Sequence, residues 1–300
     1  MKERNKKRGV IVLMLLLILI WSFDYVVAKH ALETFDPLSL LHLKYTVGLV
    51  LMVIIKRFAD PGLKLQRRDL GTLIACSIMG EIVYFYCEYS ALDYLPVSLI
   101  TILLAFVPAV SILIEIIVYR VIPSRKLVIG ILFSAVGVML IIGVDLRALM
   151  EGRLIGYLFV FGAILAWNAY NFITARLHAN YSSISLTVMQ LACTVLLLSP
   201  YAYANFPGVQ VFTPDIIGGI IYLGIFGAGI GFFIQVKALH ILGPTTTALF
   251  SNFMPVVATI MGWILLNETI SLLQGAGGVL VIAAGYFVIK EKGKAEESLK

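Results

Sequence analysis

Trp21, Asp24, Tyr25 and Ala28 follow the spacing i, i+3, i+4, i+7, so on a helix they share one face. Trp167, Tyr170, Asn171 and Thr174 repeat that spacing. Between the two stretches, Glu81, Phe85 and Glu88 form a third face with Tyr84 beside it. The two glutamates stand two helical turns apart, about 10.5 Å along the axis. That separation suits two binding points, or one binding point and one structural ion pair, and is too long for a pair sharing one proton. A carboxylate with several aromatic faces around it binds an ammonium group, each cation–π contact contributing about 0.5–2 kcal/mol. Lys44 is the one amine among these groups, and it offers a partner for a ligand carboxylate or a structural salt bridge with Glu88. The expected ligand therefore carries a positively charged nitrogen, as a cationic amine or a zwitterionic amino acid. Asp24 or Glu88 would hold that nitrogen, and one of the two could exchange a proton. Trp and Tyr stripes also pack helices or line a lipid interface, but a carboxylate such as Asp24 does not belong on a lipid-facing stripe.

The elements that must position these residues follow from composition. Of 300 residues 60% are hydrophobic and only 13% charged, against about 25% charged in soluble domains. The mean hydropathy is +0.98. A soluble enzyme, a disordered chain and a secreted disulfide scaffold are all excluded, and the chain belongs in a bilayer. Cys76, Cys87 and Cys193 lie in apolar runs without Cys-x-x-Cys spacing and read as packing residues. The net charge of +6 sits in short segments between apolar runs, so it orients helices and does not bind nucleic acid. Metalloprotease, phosphate-binding-loop and nucleophile-elbow motifs are absent. His30, His42, His178 and His240 are scattered, so neither a metal site nor a cofactor is expected.

Ten runs are long enough to cross the hydrocarbon core: 10–28, 38–55, 70–90, 97–119, 127–144, 154–175, 184–204, 216–236, 245–266 and 271–289. The first follows a basic stretch but lacks a small-residue cleavage site, so it reads as a span and not as a signal peptide. With the N-terminus inside, nineteen of the 23 Lys and Arg fall in inside segments, three (Lys29, Arg147, Arg153) fall outside, and Lys44 lies within a span. This bias places both termini in the cytoplasm, for a multi-pass protein of the cytoplasmic membrane.

The chain also repeats itself near an offset of 147. Ala91-Leu92 matches Ala238-Leu239, and Phe106-x-Pro108 matches Phe253-x-Pro255. Glu88 falls opposite Gln235 and, at offset 146, Trp21 opposite Trp167 and Lys44 opposite Gln190. Residues 9–144 and 154–289 thus form two five-helix repeats. Five is odd, so the second repeat starts on the opposite side of the membrane and the repeats are inverted, an arrangement common in secondary transporters. Pro108 and Pro255 each remove a backbone hydrogen bond mid-span and read as packing kinks or hinges, with Asn252 one turn before the second. Glu115 and His42 read as structural or interfacial groups.

The chain resembles the drug/metabolite transporter superfamily, EamA branch, over about residues 9–290. The resemblance is carried by Trp21-Ser22 with Lys29 closing the first span, Asp36-Pro37 opening the second, and Ala91-Leu92 ending the third. Pro108, Pro255 and the Asn267-Glu268 hairpin before Gly278 and Gly285 complete it. Lys44 stands where many members have arginine. The resemblance implies an all-helical bundle with a central cavity that moves small organic metabolites by alternating access. The expected partners are the small-molecule substrate, the lipid bilayer and a coupled proton, with the chain a monomer or homodimer. A subunit that flips lipid-linked intermediates is the alternative.

Overall fold

The computed structural model describes residues 2–60, 66–95, 97–120, 123–143, 150, 153–177, 181–266 and 269–297. The Asn267-Glu268 hairpin and His178 lie outside the described residues. Among the described residues the chain is helical, with no strand. The helices are α1 (Lys2–Ala31), α2 (Pro37–Ala59), α3 (Arg67–Ala91), α4 (Val97–Leu104 and Val107–Tyr119) and α5 (Arg125–Ile142). There follow α6 (Leu154–Leu177), α7 (Ser183–Ala204), α8 (Pro214–Leu242), α9 (Pro244–Leu249, Phe250–Phe253 and Met254–Leu266) and α10 (Leu272–Glu297). Nine of these are long and apolar enough, among the described residues, to cross a membrane. The remaining one, α9, is helical in three consecutive pieces.

Local chemistry sets the boundaries. The Asp36 carboxylate caps α2 by accepting from Leu38 N at 3.0 Å and Ser39 N at 3.1 Å, with Pro37 in the first turn where no N–H is needed. Ser124 caps α5, and Ser182 caps α7. Gly143 and Gly243 close α5 and α8 at φ 78° and 79°, a conformation that costs glycine nothing. The outward faces are apolar: Val12, Val26, Leu132, Phe133, Val279 and Ile282 are all exposed. Water would not tolerate so much apolar surface, whereas lipid covers it at no cost.

The helices divide into two compact units, Met1–Tyr89 with Ala169–Gly243, and Ser90–Asn168 with Pro244–Lys300. Each draws on both halves of the chain. In the first unit α2 packs on α7. Asp60, just past the end of α2, accepts from Ser182 and Ser185 at the start of α7, while His42 near the start of α2 meets Ser199 near the end of α7 at 3.2 Å. These two repeat-related helices are therefore antiparallel.

The second unit shows the same relation twice. Thr245 of α9 donates to Glu115 of α4 at 2.6 Å, and Asn252 donates to the Ala105 carbonyl at 3.3 Å. In α5 and α10, Gly137 lies against Gly277 and Val281, and Gly130 lies against Val288. Ala105, Val138, Ile141, Val256 and Val281 form one core there, and Ile112, Leu127, Ile131, Leu249 and Val288 another. Antiparallel pairing of equivalent helices is the signature of inverted repeats.

Equivalent residues also meet each other. Phe85 and Phe232, one repeat length apart, have ring centroids 6.2 Å apart in the first unit. Ala105 and Asn252, also one repeat length apart, share the hydrogen bond above in the second. Backbone irregularities repeat as well. Ser77–Val83 of α3 and Leu223–Ile230 of α8 are both π-helical. The α-helical run of α4 breaks at Ala105–Phe106, and that of α9 gives way to a 3-10 turn at Phe250–Phe253. Pro108 and Pro255 each stand second in the helical segment that follows, where a missing N–H is tolerated.

Candidate functional site

The interior of the first unit is polar and aromatic. Asp24, Lys44, Glu81, Glu88, Asn171, Gln190 and Gln235 are all buried there. Lys44 Nζ donates to Asp24 Oδ2 at 2.8 Å. The amine expected opposite Glu88 thus pairs with the α1 carboxylate instead, because the register of α1 against α2 brings Asp24 to it. Glu88 accepts from the Tyr84 hydroxyl at 3.0 Å, within electrostatic reach of both Lys44 and Asp24. Lys44 Nζ also stands 4.5 Å from the centroid of the Phe85 ring, a cation–π geometry.

Asp24 reaches its position because α8 carries no side chain at Gly227. A Cβ built there would lie 2.0 Å from Asp24 Oδ1. The repeat supplies the counterpart: a Cβ on Gly80 would lie 2.2 Å from Tyr170 Cδ2. Gly80 and Gly227 are equivalent positions in the two π-helical segments, and Asp24 and Tyr170 are equivalent positions on α1 and α6. Each π segment thus offers a notch to the equivalent helix, filled by a carboxylate in one case and a phenol ring in the other.

Phe232 is the centre of the aromatic packing. Its ring centroid lies 6.1 Å from that of Trp21, 5.8 Å from Tyr45 and 6.0 Å from Tyr170. Trp21 Nε1 donates to the Gly227 carbonyl at 3.2 Å. Beside this cluster, Gln235 donates to Asn171 at 3.0 Å, Gln190 donates to Thr174 at 3.0 Å, and Thr194 donates to Glu81. Six buried polar atoms of the unit have no hydrogen-bond partner among the described residues: Ser22 Oγ, Asp24 Oδ1, Ser39 Oγ, Tyr45 OH, Glu81 Oε1 and Asn171 Nδ2. Leaving such a group unpaired costs about 1–3 kcal/mol, so each needs a reason. Two of the six are carboxylate acceptors in need of donors.

The structure therefore brings Trp21, Asp24, Lys44, Glu81, Tyr84, Glu88, Tyr170, Asn171 and Gln235 into one unit. The side chain of Tyr25 lies outside the described residues. Trp167, Pro108, Asn252 and Pro255 belong to the second unit. There Asn252 bonds Ala105 and Ser134, so its amide bridges the break in α4 to α5. Sequence reasoning left Phe232, Tyr45 and Thr194 out of the site. Phe232 carried a signal, since it falls one repeat length after Phe85; Tyr45 and Thr194 carried none beyond being polar within apolar runs. No group of three His, Cys, Asp or Glu stands close enough, among the described residues, to hold a metal ion.

Comparison with known proteins bears on what such an arrangement is for. The sequence model of the EamA-like transporter family matches this chain twice, at residues 8–143 and 154–290. A protein of Archaeoglobus fulgidus described as an uncharacterized transporter is 22% identical over 281 residues, covering 94% of this chain and 99% of its own. The uncharacterized transporter YvbV of Bacillus subtilis is 23% identical, covering 99% and 96%. A solved crystal structure matches with a TM-score of 0.74 over 93% of this chain and 97% of that one, at 17% identity, which is a likeness of fold.

Proposed function

The chain belongs to the EamA-like transporter family, and on that premise we propose that this multi-pass membrane transporter carries a small cationic or zwitterionic metabolite, an amine or amino acid, across the cytoplasmic membrane by alternating access. One observation carries the substrate class. Among the described residues, the buried interior of the first unit holds three carboxylates, Asp24, Glu81 and Glu88, against the single amine of Lys44, and two carboxylate oxygens there lack donors. An ammonium group supplies N–H donors and charge together, and Phe85, Phe232 and Trp21 offer it aromatic faces. The Asn171 amide and Lys44 provide donors for the carboxylate of a zwitterion. Occupation by substrate would compete with the Asp24–Lys44 pair, so the pair serves as a latch that is remade when the site empties. The inverted repeats provide two similar halves that exchange roles as the site opens to either side. Both termini lie in the cytoplasm in this reading, and Pro108 and Pro255 are the hinges.

The test is uptake and efflux in sealed proteoliposomes, across labelled amines, amino acids and organic anions, with and without an imposed proton gradient. Saturable movement of amines or amino acids, lost in Asp24→Asn, is the expected result. Transport confined to anions, or unchanged cation transport by a folded Asp24→Asn protein, would exclude the cationic site. Movement of lipid-linked intermediates in place of small metabolites would point to a flippase.

A further inference from the structure

At one end of the first unit a cavity of about 260 Å³ opens where the start of α1, the start of α7 and the end of α8 meet. Lys6, Tyr181, Ser182, Ser183, Lys237 and His240 line it. It shares no residue with the buried cluster around Asp24. We infer that it is a binding site for a phosphate group, and that its occupant is the headgroup of an anionic phospholipid.

Charge carries the first half of the argument. Among the described residues, Lys6 and Lys237 make no ion pair and the lining holds no carboxylate. Two acids lie one bond behind the wall. Tyr181 donates to Asp69 at 2.7 Å, and Ser182 donates to Asp60. Those hydroxyl protons are spent, and the Ser182 oxygen also caps α7 by accepting from Ser185 N at 3.1 Å. Asp60 and Asp69 thereby hold the wall in shape, and the two lysines and the imidazole line the cavity. The start of α7, a 22-residue helix, adds the positive end of its dipole.

Position carries the second half. The cavity lies at the ends of apolar spans, where the hydrocarbon gives way to headgroups. It falls at the end that the charge bias assigns to the cytoplasm, the leaflet whose anionic lipids attract basic residues. Ile241 gives the wall an apolar edge, and the Phe233 ring centroid lies 5.5 Å from Lys237 Nζ, so lysine and ring together form an amphipathic margin suited to a headgroup with its chains alongside. The inference rests on the membrane placement of the chain and not on the substrate proposed above.

The test uses the purified full chain in phosphatidylcholine nanodiscs titrated with phosphatidylglycerol, with retained lipid counted by native mass spectrometry. Phosphatidylglycerol should be retained over phosphatidylcholine, and the apparent affinity should fall roughly 10-fold or more in Lys6→Gln/Lys237→Gln, because both cations of the cavity are then gone. Arg125→Gln/Lys126→Gln, which removes two exposed charges at the start of α5, should leave retention unchanged. Lys6→Gln alone changes an exposed side chain and should give a smaller loss in the same direction. Equal losses in both double variants, or no preference for phosphatidylglycerol in the parent, would overturn the inference. Millimolar inorganic phosphate distinguishes the two sources of the group: failure to displace the lipid supports a headgroup site, and full displacement, with phosphate itself bound, assigns the site to the free anion and removes the lipid half.

Discussion

Asp24 owes its position to two neighbours: Lys44, which supplies the opposite charge at 2.8 Å, and Gly227, whose missing side chain leaves room for Oδ1. Removing one charge of a buried pair strands the other, at about 3–5 kcal/mol, whereas removing both is often close to neutral. Asp24→Asn should therefore destabilise the protein by that amount in denaturant titrations. Asp24→Asn/Lys44→Gln should recover most of the loss, yet transport amines at less than about a tenth of the parent rate. A double variant that transports amines normally would reduce the pair to a structural strut. The glycine notch makes an independent prediction. Gly227→Ala and Gly80→Ala put a methyl group within 2.0 Å and 2.2 Å of buried atoms, so each should cost roughly 1–3 kcal/mol or more. Gly275→Ala meets nothing within 4 Å and should be neutral or stabilising by up to about 1 kcal/mol, because alanine is the better helix former. Thermal unfolding in detergent separates the three; a Gly227→Ala protein as stable as Gly275→Ala would mean that Asp24 does not sit in the notch. The acidic lean of the interior was legible in the sequence, since carboxylates in apolar runs have few places to go. The partner of Lys44 was not, because it depends on the register between two helices, and no pattern within either helix records that register. The same limit hid the role of Gly227, which as a residue type signals only flexibility or close packing.

Among the elements, α4 and α9 carried their irregularity openly: Phe-x-Pro at matching positions foretells a weak point, and the helical hydrogen bonding changes two to three residues before Pro108 and two to five before Pro255. The π-helical segments of α3 and α8 were not legible, since a π turn arises from one surplus residue accommodated by packing and leaves no composition of its own. If the breaks in α4 and α9 are hinges, Pro108→Ala and Pro255→Ala should restore a continuous ladder and stiffen the helices. Initial transport rates should then fall several-fold while folded yield changes little; parallel loss of rate and yield would leave the prolines as packing residues. A different element junction responds to pH. Hydrogen bonds from Ser182 and Ser185 hold the Asp60 carboxyl below its ordinary value of 3.8. A folded-state pKa below the unfolded one stabilises at pH above the unfolded value, and that contribution disappears as pH falls through the folded one. Asp60→Asn should thus lower the melting temperature at neutral pH, and the gap to the parent should close as pH drops below about 4. A gap that is constant between about pH 3 and 7 would mean that the hydroxyls bind the aspartate and the asparagine alike.

At the scale of the whole chain, an odd number of spans per repeat already required equivalent helices to run in opposite directions, and α2 with α7, α4 with α9 and α5 with α10 do so. What the sequence could not reveal is the grouping. Each compact unit takes helices from both halves, so the stretch that repeats along the chain is not the body that packs in space. Periodicity marks which face of a helix is buried, and says nothing of which other helix buries it. The same parity argument yields a prediction about the membrane. Arg68 follows the second span and Arg153 follows the fifth, so three crossings separate them, and they must lie on opposite sides. The excess of Lys and Arg in the segments around Arg68 assigns that side to the cytoplasm. In a protein whose Cys76, Cys87 and Cys193 are replaced by serine or alanine, Arg153→Cys should react with an impermeant maleimide applied to intact cells, and Arg68→Cys only after the membrane is opened. Both positions are exposed, so access to the reagent depends on sidedness alone. Labelling of Arg68→Cys alone from outside would reverse the orientation and move the basic cavity to the outer leaflet. Labelling of both from the same side would require an even number of crossings between them, and neither the odd repeat nor the antiparallel pairing of its helices would survive that result.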